Sequence, residues 1–261
     1  YPFQLLDSNI ATDYRKLMSL FGIGDRETNY SLLEELVIEG ETAGRIKERY
    51  ELEDGFGADD FLTLLFSLGF ITLKSRAMGR YIFQIPNYVI RQLYFEYFRH
   101  ELDRRARLGI NSRELDNALY ELGLGKIEKF VKEVDRVIKQ MSNRDFRQFE
   151  EKHFKAIVLS LLSYMDYYYI KSEAEVSGKY PDIMLLKRNP FEEEIKSEYL
   201  FELKWARQGE EKKRLEEGRE QVKKYMCLPE IREKQDMKFY VLVGSKAGVR
   251  AYLLNFRSSE S

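Results

Sequence analysis

The sequence predicts a mixed α/β chain. In its second half, short apolar runs of β-rich residues alternate with helical apolar stripes, in the order helix, three strands, helix, two strands; the first hundred residues read as helices with one hairpin. The chain has 261 residues, of which 44% are hydrophobic, so it can bury a sizeable core in one to two domains. No apolar run approaches the roughly 18 residues needed to cross a bilayer, and Tyr1-Pro2-Phe3 lacks the basic start of a signal peptide. The missing initiator methionine predicts a fragment or a processed chain. The single cysteine, Cys227, excludes an internal disulfide and a multi-cysteine zinc site, and predicts a reducing, cytoplasmic setting. A formal net charge of −1 gives no whole-protein field to draw in nucleic acid, so phosphate contacts must come from local basic clusters or bound metal.

Residues 1–100 divide into helices and a hairpin. Asn29-Tyr30-Ser31 can cap a helix through Leu32, Leu33, Leu36 and Val37, and Ala58-Asp59-Asp60 opens another through Phe61, Leu64, Leu65 and Leu68 that Gly69 ends. Phe70 to Leu73 and Tyr81 to Ile85 flank a polar turn at Met78-Gly79, and Pro86 precedes a helix through Val89, Leu93 and Tyr97. Helices followed by a two-stranded wing predict a winged-helix-like module. It shows no recognition helix crowded with Arg and Lys, so packing is a stronger reading for it than DNA contact. Residues 101–142 read as a helical connector, with one helix capped by Asn111 or Ser112 through Leu115, Leu119 and Leu122. A second helix has Ile127, Phe130, Val134, Val137 and Ile138 on one face and a solvated charged face opposite.

From residue 143 to 261 the chain predicts a separate domain. A helix capped by Ser142 or Asn143 carries Phe146, Phe149, Phe154, Ile157, Val158, Leu161, Leu162 and Met165, with Glu150, Glu151 and His153 near its start. Three strand-like runs follow, around Tyr167–Ile170, Ile183–Leu186 and Tyr199–Phe201, the last two joined by a turn at Arg188-Asn189-Pro190. A charged helix from about Glu210 to Tyr225 and strands at Phe239–Val243 and Arg250–Leu254 close the chain.

The chemistry-bearing constellation is Pro181-Asp182 followed by Glu202-Leu203-Lys204. In an antiparallel pair, Asp182 at the start of one strand and Glu202 at the end of the next lie side by side, and strand periodicity puts Lys204 on the face of Glu202. Hard oxygen ligands suit Mg2+ or Mn2+, which polarise a phosphate and make hydroxide available near neutral pH. Lys204 could orient that water and offset growing negative charge.

These residues resemble the PD-(D/E)XK nuclease superfamily, whose restriction-endonuclease-like αβββαβ core has the element order just read. Gln221-Val222-Lys223-Lys224-Tyr225 fits the Q-hydrophobic-x-x-Y signature of RecB-like members. The resemblance implies a metal-dependent nuclease acting on DNA. Asp182, Glu202 and the Leu203 carbonyl would hold magnesium, Lys204 would assist catalysis, and Gln221 and Tyr225 would position substrate. The chain also resembles the C-terminal part of a bacterial family that joins an AAA-ATPase-like domain to such a nuclease; Leu68 to Lys74 and Ile85-Pro86-Asn87 carry that likeness. It implies an ATPase partner domain, Glu151 as an acid on the first core helix, and Glu173 or Glu175 as a further site residue. Two departures stand against the pattern. Lys179-Tyr180-Pro181-Asp182 replaces the frequent Gly-Arg-x-Asp, and Glu192, Glu193, Glu194 and Glu198 form an acidic insertion unfriendly to DNA if it faces the cleft.

Several residues have plainer readings. Helical angle favours Glu150 over Glu151, whereas the resemblance favours Glu151. His153 and Trp205 read as packed side chains. The basic run Lys212-Lys213-Arg214 with Arg219, Lys223 and Lys224 is interleaved with glutamates, as in a salt-bridged solvent face. No G-x-x-x-x-G-K-[ST] loop occurs, which argues against ATP hydrolysis by these residues. The alternative function is a catalytically idle nuclease-fold module that docks or regulates an ATPase.

Overall fold

Helix starts and strand pairing organise the N-terminal unit, Tyr1–Glu101, in the computed structural model of the chain. The structure describes residues 8–47, 56–106, 110, 112–141, 149–172, 176–189 and 194–255. After helix α1 (Ser8–Phe21), Asp25 caps α2 (Arg26–Ile38) by accepting the Glu27 and Thr28 N–H groups. The expected cap at Asn29 is therefore displaced. Asn29 sits buried inside the helix, and its amide donates to the carbonyls of Phe21 (3.2 Å) and Ile23 (2.7 Å), tying α2 to the end of α1. Strand β1 (Glu41–Gly44) precedes α3 (Ala58–Ser67), β2 (Thr72–Ala77) and β3 (Arg80–Gln84), and α4 (Tyr88–Ala106) follows. The expected two-stranded wing is thus a three-stranded antiparallel sheet ordered β1-β3-β2. Residues Glu41-Thr42-Ala43-Gly44 show no β-rich run, so pairing with β3 rather than propensity makes them a strand. Gly69 ends α3 with φ near +78°, a conformation that suits glycine.

The second unit, Leu102–Ser261, is built on a five-stranded mixed sheet. Helices α5 (Ser112–Gly123) and α6 (Glu128–Gln140), read from sequence as a connector, fall inside this unit. The Tyr199 hydroxyl donates to the Leu122 carbonyl (2.6 Å), Lys238 donates to the Gly125 carbonyl (2.7 Å), and the Val249 N–H donates to Asp135 (2.8 Å). Next come α7 (Glu151–Leu162), β4 (Tyr168–Ser172), β5 (Ile183–Lys187) and β6 (Glu198–Trp205). Then α8 (Glu211–Met226), the short α9 (Pro229–Arg232), β7 (Met237–Ser245) and β8 (Gly248–Leu254) complete it.

The strand order is β4-β5-β6-β7-β8, antiparallel throughout except for the parallel pair β6 and β7. That pair needs a crossover, which α8 and α9 supply. Strand β6 is buried along nearly its whole length, so its apolar residues serve both faces. Leu200 packs with Val241, Val243, Val222, Tyr225 and Met226 on the α8 side. On the other side Trp205 meets Phe154 of α7.

The helix expected to run from Ser142 or Asn143 is shorter. Glu150 is extended (φ −126°, ψ 175°), so α7 begins at Glu151 and Phe149 lies outside it. Phe146 and the two proposed capping residues fall outside the described residues.

Candidate active site

The site forms where β5 and β6 part. Their pairing runs from Leu185↔Tyr199 to Ile183↔Phe201 and stops there, while β6 continues to Trp205. Asp182 lies one residue before β5, and its Oδ2 accepts the Leu203 N–H at 2.9 Å. A side chain thus substitutes for the missing strand partner. Strand geometry turns the Leu203 carbonyl toward the same edge, since the N–H and C=O of one residue share a direction. The negative charge of Asp182 acts on Glu202, the neighbour expected for it across this pair.

Glu202 and Lys204 share a face of β6, as period two requires, and Lys204 Nζ lies 2.8 Å from Glu202 Oε1. Glu202 is only 2% exposed. Its second oxygen, Oε2, is buried and has no hydrogen-bond partner among the described residues. Burial first, then the charge of Asp182, pushes the Glu202 pKa up to about 7, against the opposing pull of Lys204. Burial would lower Lys204, but Glu202, Glu151 and Asp182 hold it above its ordinary value. The pair therefore keeps its protons to higher pH than burial of the lysine alone would allow.

Helix α7 brings two further groups. Glu151, at its first position, accepts from Lys204 Nζ at 3.1 Å through Oε1 and from the Trp205 N–H at 3.1 Å through Oε2. Glu150, which helical angle favoured, is exposed beside Lys152 (3.6 Å). Because the helix starts one residue after Glu150, angles counted from a start near residue 143 do not apply. Lys155, four residues after Glu151 and on the same helical face, reaches Asp182 Oδ1 at 3.5 Å. Sequence reading missed Lys155; its i, i+4 spacing from Glu151 was the available signal.

Helix α8 covers the face of β6 that carries Glu202 and Lys204. A Cβ at Gly218 would come within 2.6 Å of Val241 Cγ1 and 3.3 Å of Lys204 Cγ, so only glycine lets the helix approach this closely. Gln221 and Tyr225 follow on the same face. Gln221 is half-buried, and its side chain makes no hydrogen bond among the described residues. Tyr225 is buried, its hydroxyl donating to the Tyr180 carbonyl at 3.4 Å; burial, then Glu202 and Asp182, raises its pKa well beyond the usual phenol range.

Glu173 and Glu175 lie outside the described residues, as do Glu192 and Glu193. Glu198 does not face the cleft. It stands at the opposite end of β6 and accepts from Lys187 N (3.0 Å) and Lys234 Nζ (2.6 Å). His153 Nδ1 accepts the Glu150 N–H at 3.0 Å, and Trp205 packs on Phe149 and Phe154, which fits the plainer readings of both. On α8, Arg214 pairs with Glu217, Arg219 with Glu216 and Lys223 with Glu220, as a solvated salt-bridged face should.

Among the described residues no group of three or more His, Cys, Asp or Glu side chains converges as a metal site. The donors that remain are two neighbouring carboxylates, the unpartnered Glu202 Oε2 and the Leu203 main chain. That set fits a hard cation of the magnesium type, which binds through one or two carboxylates and keeps waters and phosphate oxygens for its other positions. No described helix is long and apolar enough to cross a membrane.

Comparison with curated proteins gives no match. Residues 149–250 match the model of the PD-(D/E)XK nuclease superfamily, whose members generally use divalent metals. The match spans α7 through the start of β8 and so contains every group assembled above. This part of the chain is thus similar to the PD-(D/E)XK nuclease superfamily, and the five-stranded mixed sheet with its flanking helices is consistent with a restriction-endonuclease-like core.

Proposed function

We propose that this domain is a Mg2+- or Mn2+-dependent nuclease that hydrolyses DNA phosphodiester bonds. The observation that carries the reading is the buried Glu202 carboxylate, one oxygen on Lys204 and the other without a partner. An unsatisfied buried oxygen is costly, and a ligand that binds it repays that cost. Asp182, Glu202 and the Leu203 carbonyl are the groups that would hold the cation. When bound, the metal supplies Lewis-acid polarisation of the phosphate and a lowered pKa for an attacking water.

The remaining chemistry belongs to the chain. Lys204, kept charged by Glu202 and Glu151, orients the attacking water and offsets charge growing on the phosphate. Glu151 is a positioning residue, since it fixes both the Lys204 ammonium and the Trp205 backbone. Lys155 balances Asp182 and is a further cation for a phosphate oxygen. Gln221 and Tyr225 support the substrate side, and Glu173 stays a candidate through the family resemblance. The N-terminal unit fits a winged-helix-like remnant of an AAA-ATPase-like module, which would supply a partner domain. Support for that is the order α2-β1-α3-β2-β3 and the sheet order β1-β3-β2.

Calorimetric titration with manganese tests the reading, together with cleavage of single- and double-stranded DNA. Binding that Asp182→Ala abolishes, and cleavage that Lys204→Ala abolishes, are the expected results. No metal binding, or equal cleavage by wild type and Lys204→Ala, would overturn it in favour of an idle docking module.

A further inference from the structure

The turn that delivers Asp182 carries an exposed aromatic ring. Tyr180 is 56% exposed, although Pro181 after it is buried and Asp182 is half-buried. A lone exposed tyrosine is ordinary on a protein surface. This one differs in how firmly its backbone is held and in where it stands.

Four constraints fix the backbone around it. Val176 and Lys179 pair across a tight turn through reciprocal backbone hydrogen bonds of 2.8 and 3.0 Å. Ser177 at the turn tip donates to the Glu230 carboxylate (2.7 and 2.9 Å), anchoring the turn to α9. The Tyr180 carbonyl accepts from Tyr225 of α8, and Pro181 restricts Tyr180 to extended conformations. The ring therefore projects from a preorganised backbone two residues from Asp182, so that binding has to order only the side chain. Lys179 directly precedes Tyr180 in the chain, and Lys155 pairs with Asp182 two residues after it.

We propose that Tyr180 is a stacking platform for an unpaired DNA base at the mouth of the site, so that the substrate is a single strand or a frayed end rather than an intact duplex. This rests on the nuclease reading above. Every base has a π-face that an exposed ring can cover, and an intact duplex hides those faces in its own stack. Lys179 and Lys155, next to Tyr180 and Asp182, then meet the backbone phosphate beside the stacked base. Tyr180 acts on binding and is not a catalytic residue.

The test uses the full chain and a single-stranded oligonucleotide containing 2-aminopurine, without metal, so that binding is read apart from cleavage. Wild type and Tyr180→Phe should quench the probe on binding, whereas Tyr180→Ala should lose the quenching and bind about 10-fold more weakly, within the range of one lost base–aromatic stack. The same probe inside a duplex should not be quenched. With manganese, Tyr180→Ala should raise KM for the single strand by a similar factor and leave kcat within about twofold, as loss of uniform binding requires. Equal quenching and equal affinity for Tyr180→Ala and wild type, or no binding of the single strand, overturns the proposal. Failure of wild type to cleave any DNA with manganese overturns the nuclease reading instead and leaves the fluorescence result to stand on its own. Because Tyr180 is exposed, an unchanged melting temperature in Tyr180→Ala shows that the variant folds.

Discussion

Strand β6 carries a glutamate–lysine pair near each end, and the two are built differently. At the start, Glu198 has both oxygens occupied, one by the Lys187 N–H and one by Lys234. Near the finish, Glu202 is more deeply buried, yet only one oxygen is bonded, and a second carboxylate lies close enough to raise its pKa. A saturated pair has nothing left to offer a ligand. The unsaturated one pairs a stability cost with a free donor atom, as a site that must bind something else requires.

The largest expected separation between the two ends is in catalysis. Lys204→Ala and Glu202→Ala should each lower manganese-dependent cleavage about 100-fold or more, in the range seen when a charge-stabilising group is removed. Glu198→Ala should stay within about threefold of wild type in the same assay. Comparable losses at both ends would erase the distinction between the two pairs.

Metal should separate them next. At a concentration about 100 times its dissociation constant, manganese should stabilise the fold by about 2.7 kcal/mol, read as a rise in melting temperature. Asp182→Ala and Glu202→Ala should abolish that rise, and Glu198→Ala should keep it. Removal of the metal with a chelator should restore the original melting curve.

Stability without metal should run the other way. Glu198→Ala leaves Lys234 and the Lys187 N–H without their partner and should cost about 2 kcal/mol by urea unfolding. Glu202→Gln should cost less than that or be neutral. Gly218→Ala should destabilise by about 1 to 3 kcal/mol, because its new methyl group meets Val241 and forces α8 off the sheet. It should also lower cleavage, since Lys204 is the next neighbour.

The smallest effect is a pH slope in chelated, metal-free buffer. The Glu202 pKa is raised in the fold, so between its ordinary value of about 4.5 and about 7 the native state holds the proton more tightly than the unfolded chain. This group therefore adds stability below pH 4.5, and the contribution is lost as pH rises through 7. The unfolding free energy of wild type relative to Glu202→Gln should fall over that window, and parallel curves for the two proteins would count against the shift.

Local spacing made much of this site legible. The strands around Asp182 and Glu202, the shared face of Glu202 and Lys204, and the i, i+4 relation of Gln221 and Tyr225 all follow from periods of two and 3.6 residues. What local spacing misjudged were the points where a chain segment changes direction. Helix α7 begins at Glu151 because Glu150 is extended, so the helical angle that favoured Glu150 over Glu151 does not apply to it. Strand β1 exists because β3 lies beside it. Glu198 belonged by composition to an acidic insertion, and its partner Lys234 is 36 residues away.

The α/β order and the chemistry of the motif are legible in the chain alone, because both are written in residue types at short fixed intervals. Long-range packing settles the rest: which oxygen of Glu202 lacks a partner, that Lys155 meets Asp182, that Gly218 admits α8 against Lys204, and that Tyr180 stands on an anchored turn. Each of those depends on which atoms of distant segments meet within a few ångströms, and hydrogen bonding, burial and packing act at that range.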